Sequence, residues 1–226
     1  MHLRILYVSA TDAEADILKK ISGIVPVSSG YRLGNCEIYP LVTGVGSIST
    51  AWGMKQWLYL NQKPHLAINA GIAGSYRDNI AIGEVVMPVF DCFADMGIET
   101  EKGFLTLSEA GLSNPDKFPF KSGFIPAENR FILKLEKYLK PVKAITVNTA
   151  TGSVATIDRI VSKYNPDIET MEGATFFYVC AMEKLPFLAI RAISNRVVPD
   201  NRKKWDISLA LNNMSIKLKD IIYTLE

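Results

Sequence analysis

Residues 187–193, FLAIRAI, constrain this chain most, because they are apolar on both alternating faces of an extended segment and broken only by Arg191. A strand of that kind has to be covered on both sides, which places it in the middle of a sheet with helices packed above and below. The rest of the sequence follows the same logic. Short runs rich in β-branched residues predict strands over 4–9, 36–42, 66–69, 84–90 and 144–148. Helical patterns fall between and after them, over 13–21, 48–59, 129–139, 154–163, 171–182 and 205–225. Such alternation is the signature of an α/β fold. Residues 93–124, with Gly, Pro and Asn scattered through them, read as long loops.

The chain has 226 residues, 48% of them apolar, which suits one domain with a single large core. Its 25 basic and 23 acidic residues leave a net charge of +2, and neither sign gathers into a run. That argues against a nucleic-acid or membrane partner and for a small molecule. Cys36, Cys92 and Cys180 follow no CxxC spacing and are odd in number, as reduced thiols of a cytoplasmic protein would be. The first residues, MHLRILYVSATDAEADIL, lack a basic region followed by a leader-like apolar stretch, and no segment approaches the roughly 18 apolar residues of a spanning helix. With only His2 and His65, both expected at the surface, neither a histidine-rich metal site nor any cofactor is expected.

Several residues carry chemistry. Gly44 and Gly46 stand between a strand and a helix, but Ser49 occupies the place of a third glycine, so the segment reads as a tight turn that admits close backbone approach rather than a dinucleotide site. Gly71 and Gly74, around Ile72, read as a second glycine turn, and two such turns at successive strand ends suggest a crevice at the carboxyl edge of the sheet. Glu14 lies in the first turn of a helix capped by Thr11 or Asp12, where an acid complements the helix dipole. Glu172 opens an otherwise apolar helix and has to find hydrogen bonds, from a vicinal diol or through an internal ion pair with Arg191. Asn195 ends the 187–193 strand, where its amide can donate two hydrogens and accept one, or simply close the strand. Trp205 reads as core or as a ligand-stacking ring.

TGVG, NAGIAG, ETMEG and RAISN, in this order, resemble the purine nucleoside phosphorylase and nucleosidase superfamily over nearly the whole chain. EGATFFYVC followed by RAISNRVVPDNRKKW is most similar to its hydrolytic branch. That branch holds the methylthioadenosine/adenosylhomocysteine nucleosidases and the futalosine hydrolases of the alternative menaquinone pathway, and the likeness is to the latter. The resemblance implies a three-layer αβα fold with a mixed, partly barrel-like central sheet, a nucleoside substrate, water as co-substrate and a homo-oligomer. It also implies roles. Glu14 matches the acid that deprotonates the attacking water, Glu172 the acid that holds the ribose hydroxyls, and Met171 a residue packing on the sugar. Val45 and Trp205 match apolar positions around the sugar and its 5′ substituent, and Arg191 a buried arginine that steadies the site. Gly71 and Ile72 fall in the glycine segment beside the nucleophile, where adenine-specific relatives carry a serine in place of Ile72.

Asn195 falls where those relatives have an aspartic acid that protonates the leaving base. An asparagine cannot be that acid, but its NH2 can donate to N7 or O6, which favours a 6-oxopurine such as the hypoxanthine of futalosine. Futalosine also ends in a benzoate, for which Arg196, Arg202, Lys203 or Lys204 is a candidate partner. The competing readings are a 6-oxopurine phosphorylase, with Arg77 as a phosphate ligand, a methylthioadenosine-type nucleosidase, and a non-catalytic nucleoside-binding protein.

Overall fold

The computed structural model describes residues 2–200 and 202–225. The first half contains β1 (Leu3–Ser9), α1 (Asp12–Ala15) continued by a 3-10 segment (Asp16–Lys20), β2 (Val25–Val27), β3 (Gly30–Leu33), β4 (Cys36–Val42), α2 (Ser47–Leu60) and β5 (Leu66–Ser75). Then come β6 (Val85–Asp91), a hairpin of β7 (Gly97–Thr100) and β8 (Gly103–Thr106), β9 (Ile125–Pro126), α3 (Arg130–Leu135) and β10 (Lys140–Thr146). The chain closes with α4 (Val154–Tyr164), β11 (Ile168–Thr170), α5 (Gly173–Met182), β12 (Phe187–Arg196) and α6 (Ile207–Leu225).

The mixed central sheet runs β11-β10-β6-β12-β5-β1-β4-β3-β2. Because β11 also pairs with β5, the strands β11, β10, β6, β12 and β5 close on themselves, and β1, β4, β3 and β2 extend from that ring as a wing. The α/β class and the partly barrel-like sheet are therefore as expected. α2 packs on α5, while α6 packs on β12 and β5 together with α3 and the 3-10 segment. β12 is buried on both faces along nearly its whole length, as its apolar alternation requires. The three cysteines are buried thiols. Among the described residues no helix is long and apolar enough to cross a membrane.

The main departure concerns β5. Residues 70–74, AGIAG, read as a turn after a short strand, continue that strand to Ser75, and neither Gly71 nor Gly74 has a positive φ. Their glycines answer to crowding: a Cβ on Gly71 would lie 2.6 Å from Glu14 Oε1, and one on Gly74 2.8 Å from Val197 Cγ2. Glycine inside a strand commonly marks such an approach. Elsewhere α3 stops at Leu135 and Pro141 lies inside β10, which starts four residues earlier than its apolar run. α6 begins at Ile207 because Asp206 Oδ1 accepts from the Leu209 amide, leaving Trp205 outside the helix. The 93–124 region holds the β7–β8 hairpin, whose exposed first strand carries no apolar alternation.

One polar residue stitches the centre of the sheet. Arg191, 1% exposed on β12, donates from Nη1 to the carbonyl of Asn69 on β5 at 2.7 Å and from Nη2 to Asn69 Oδ1. Asn69 Nδ2 in turn donates to the Val8 carbonyl on β1 at 3.0 Å. Replacing Asn69 with Leu strands part of a buried cation, which costs about 3 kcal/mol. Urea unfolding of Asn69→Leu is expected to show a lower midpoint with an unchanged slope.

Candidate active site

Two cavities stand out among the described residues. The larger, about 670 Å³, lies under the 93–124 excursion and is lined mainly by apolar and aromatic side chains such as Phe93, Phe120 and Tyr178. The smaller, about 410 Å³, sits at the carboxyl ends of β1, β5, β11 and β12 and collects the acids, which makes it the candidate active site. Glu14, Val45, Ile72, Met171, Glu172, Asn195 and Trp205 all line it. Gly71 and Arg191 do not; the first backs onto Glu14 and the second lies in the core behind.

Glu14 is held from two directions. Thr11 caps α1 and Glu14 closes the capping box, Oε2 accepting from the Thr11 amide at 3.0 Å, the Thr11 hydroxyl at 2.9 Å and the Ala10 amide at 3.1 Å. Its Oε1 accepts from the Ile72 amide at 3.1 Å. Thus the dipole-complementing acid and the cavity-lining acid are one group. At Ile72 it is the main chain, not a hydroxyl, that serves this carboxylate.

Glu172 reaches the cavity because other residues cap its helix. It occupies the N-cap position of α5, yet the Gly173 amide is satisfied by Thr170 Oγ1 at 3.1 Å and the Ala174 amide by Thr146 Oγ1 at 2.7 Å. The freed carboxylate accepts from the Gly46 amide at 2.9 Å. Gly44 and Gly46, at φ +91° and +93°, make the turn that presents this amide, so TGVG works as a close-approach turn. Burial raises the Glu172 carboxyl above its ordinary value, opposed by the Gly46 hydrogen bond and by Arg191. The internal ion pair expected as an alternative for Glu172 is not formed, since Arg191 acts on it through the field alone.

Asn195 owes its position to a bulge. The β12–β5 register shifts between Ile193 and Asn195, so that Asn195, not Ser194, stands opposite Gly74. Bulges re-aim side chains in this way. The Ser194 hydroxyl donates to Asn195 Oδ1 at 2.8 Å, and Asn195 Nδ2 donates to the Arg196 carbonyl at 3.1 Å. The oxygen is thereby engaged and one Nδ2 hydrogen is left to face the cavity.

The cations sort themselves equally clearly. Arg77 pairs with Asp167 at 2.9 Å and donates to Asn165 Oδ1 at 2.7 Å. Arg196 donates to the carbonyls of Arg77 and Asp78. Lys203 and Lys204 are exposed and do not line the cavity. Arg202 alone of the four C-terminal candidates does, its guanidinium 4.6 Å from the Trp205 ring centroid. His65 takes the Arg4 amide on Nδ1 at 2.9 Å and is half-buried rather than at the surface, and His2 pairs with Glu37.

A family profile described as the phosphorylase superfamily matches residues 8–223. The chain belongs to the phosphorylase superfamily. It is 27% identical over 221 residues to the 5′-methylthioadenosine/S-adenosylhomocysteine nucleosidase of Haemophilus ducreyi, covering 86% of each chain. It is 29% identical over 225 residues to the futalosine hydrolase of Acidothermus cellulolyticus, covering 95% of this chain and 88% of that one. A crystal structure of a 5′-methylthioadenosine/S-adenosylhomocysteine nucleosidase from Colwellia psychrerythraea in complex with adenine shares the fold, with a TM-score of 0.81 at 15% identity over 100% of this chain and 96% of its own.

Two acids of this superfamily member give no signal in the sequence. Glu169 lines the cavity from β11, a strand of three residues too short to show a period. Asp91, fully buried, accepts from Thr146 Oγ1 at 3.0 Å and so supports the threonine that caps α5. Burial pushes its carboxyl up to about 7, opposed by Thr146 and Arg191. A carboxyl raised in the folded state favours folding at low pH, and that contribution is lost as pH rises from about 4 toward 7. Asp91→Asn keeps the acceptor without the charge. Its melting temperature is expected to exceed that of the parent at pH 8, with the gap narrowing as pH falls and closing only near pH 4, the underlying difference being at most roughly 4 kcal/mol.

Proposed function

We propose that this chain is a nucleosidase that hydrolyses the N-glycosidic bond of a 6-oxopurine nucleoside, futalosine, and releases hypoxanthine. The observation that carries the reading is the charge of the cavity. Glu14, Glu169 and Glu172 line it against one cation, Arg202, among the described residues. Such a lining suits a sugar that becomes cationic as its base departs, and it opposes an anionic nucleophile such as phosphate. Arg77, the cation that would favour a phosphorylase, is engaged with Asp167 and Asn165.

In this reading Glu172 holds the ribose hydroxyls and places negative charge beside the developing oxocarbenium ion. Met171, Val45 and Trp205 pack around the sugar and its 5′ substituent. Glu14, already fixed by four donors, accepts a proton from water positioned on the opposite face of the sugar from the leaving base. Asn195 donates its remaining hydrogen to the purine as electrons gather on it. Arg191 acts from behind, steadying Glu172 and Glu14 through its field. Arg202 is the cation placed to meet the benzoate at the end of the 5′ chain.

The cavity is also placed beside an uncovered apolar face. Ile48, Trp52 and Tyr59 of α2 are 87, 71 and 87% exposed, close to Val45 in sequence. This supports a homo-oligomer in which a second copy covers α2. Sedimentation equilibrium is expected to give at least a dimer, and Trp52→Lys a shift toward monomer; a monomeric parent would remove this part of the reading.

For the reaction itself, futalosine, inosine and methylthioadenosine are each incubated with and without phosphate and the free base is measured by chromatography. Hypoxanthine from futalosine without phosphate is expected, and Glu14→Gln should lower kcat about 10² to 10⁴-fold with little change in KM. Adenine from methylthioadenosine as the preferred reaction would overturn the substrate assignment, and a strict need for phosphate would overturn hydrolysis.

A further inference from the structure

We infer that Glu169 is the second reader of the base, accepting the N1–H of a 6-oxopurine while Asn195 donates to its O6 or N7; this rests on the nucleosidase reading above. The placement follows from register. Gly74 of β5 stands opposite Asn195 of β12 on one side and opposite Glu169 of β11 on the other, because β11 closes the ring of strands at this point. All three line the cavity. A Cβ on Gly74 would lie 3.1 Å from Asn195 Nδ2 and 3.5 Å from Glu169 Cγ, so the two side chains flank one bare stretch of backbone.

The Glu169 carboxylate is held for this task and not used up by it. The residue is 7% exposed. Tyr76 donates its hydroxyl to Oε2 at 2.5 Å, and the Thr151 amide donates to Oε1 at 3.0 Å. A carboxylate offers about four acceptor sites and only two are taken here, one on each oxygen, so both oxygens can still accept from a ligand. Asn195 is its complement, with Oδ1 satisfied by Ser194 and one Nδ2 hydrogen unspoken for. The platform therefore offers one donor and one acceptor on either side of Gly74. A 6-oxopurine presents an acceptor at O6 and N7 and a donor at N1. Adenine presents a lone pair at N1, which would face the carboxylate. A site built to pair a group rejects the analogue lacking it, because its own polar group is left unpaired.

The probes are hypoxanthine, 1-methylhypoxanthine, which lacks the N1 hydrogen, and adenine, bound to the full-length protein and measured by calorimetry. The parent is expected to bind hypoxanthine about tenfold or more tightly than 1-methylhypoxanthine, with adenine weaker still. In Glu169→Gln, near-isosteric and checked for folding by circular dichroism, the hypoxanthine preference over both probes should collapse. Futalosine turnover by the same variant should show raised KM. Equal binding of hypoxanthine and 1-methylhypoxanthine by the parent would sink the role without needing the variant. Full discrimination retained by Glu169→Gln would also sink it, while leaving a parent that releases hypoxanthine from futalosine as a 6-oxopurine nucleosidase. A parent that prefers adenine and releases it from methylthioadenosine would overturn both readings together.

Discussion

Arg191 lies inside the sheet with no carboxylate in ion-pair contact among the described residues, its donors given to the carbonyl and amide oxygens of Asn69 and to the Ile190 carbonyl. Burial lowers its affinity for the proton, opposed by the charges of Glu172, Glu14 and Asp91. Three acids thus share the field of one guanidinium, which makes it more tolerable to bring them into a half-closed space. Each acid is then tethered by main chain or threonine: Glu14 by Ala10, Thr11 and Ile72, Glu172 by Gly46, Asp91 by Thr146. Two of the three face the cavity and the third supports the helix that carries one of them. The buried cation, the strand ladder and the acidic lining are parts of one electrostatic arrangement.

Much of this arrangement is legible in the sequence. Side-chain alternation in 187–193 announces a doubly covered strand, and β12 is that strand. Glu14, Glu172 and Asn195 stand out because a charge or an amide is conspicuous where its neighbours are apolar or where an element ends. They meet in one cavity. What stays hidden depends on pairing between distant strands. The glycines of residues 70–74 look like turn residues, since the sequence does not reveal that Glu14 and Val197 press against β5. The bulge at Ser194 and the closure of β11 onto β5 are likewise relations of register, to which local propensity is blind. Glu169 is inconspicuous for that reason, although it sits two residues before Met171.

Functional groups here are held mostly by backbone. Peptide N–H groups reach Glu14, Glu172 and Glu169, with hydroxyls of Thr11 and Tyr76 added at Glu14 and Glu169, whereas the Asn195 oxygen is held by the Ser194 hydroxyl. Main-chain donors survive every point substitution except proline and do not change rotamer, so the carboxylates are preorganised. The threonine caps at the start of α5 extend the principle, since they release Glu172 from capping its own helix.

The closed ring of β11, β10, β6, β12 and β5 works as a gauge. Its hydrogen-bond ladders set the spacing between the residues on either side of Gly74, whatever those residues are. If Glu169 and Asn195 read the base as proposed, a new base preference needs only an exchange of the side chains at 169 and 195, two letters rewritten on a fixed ruler.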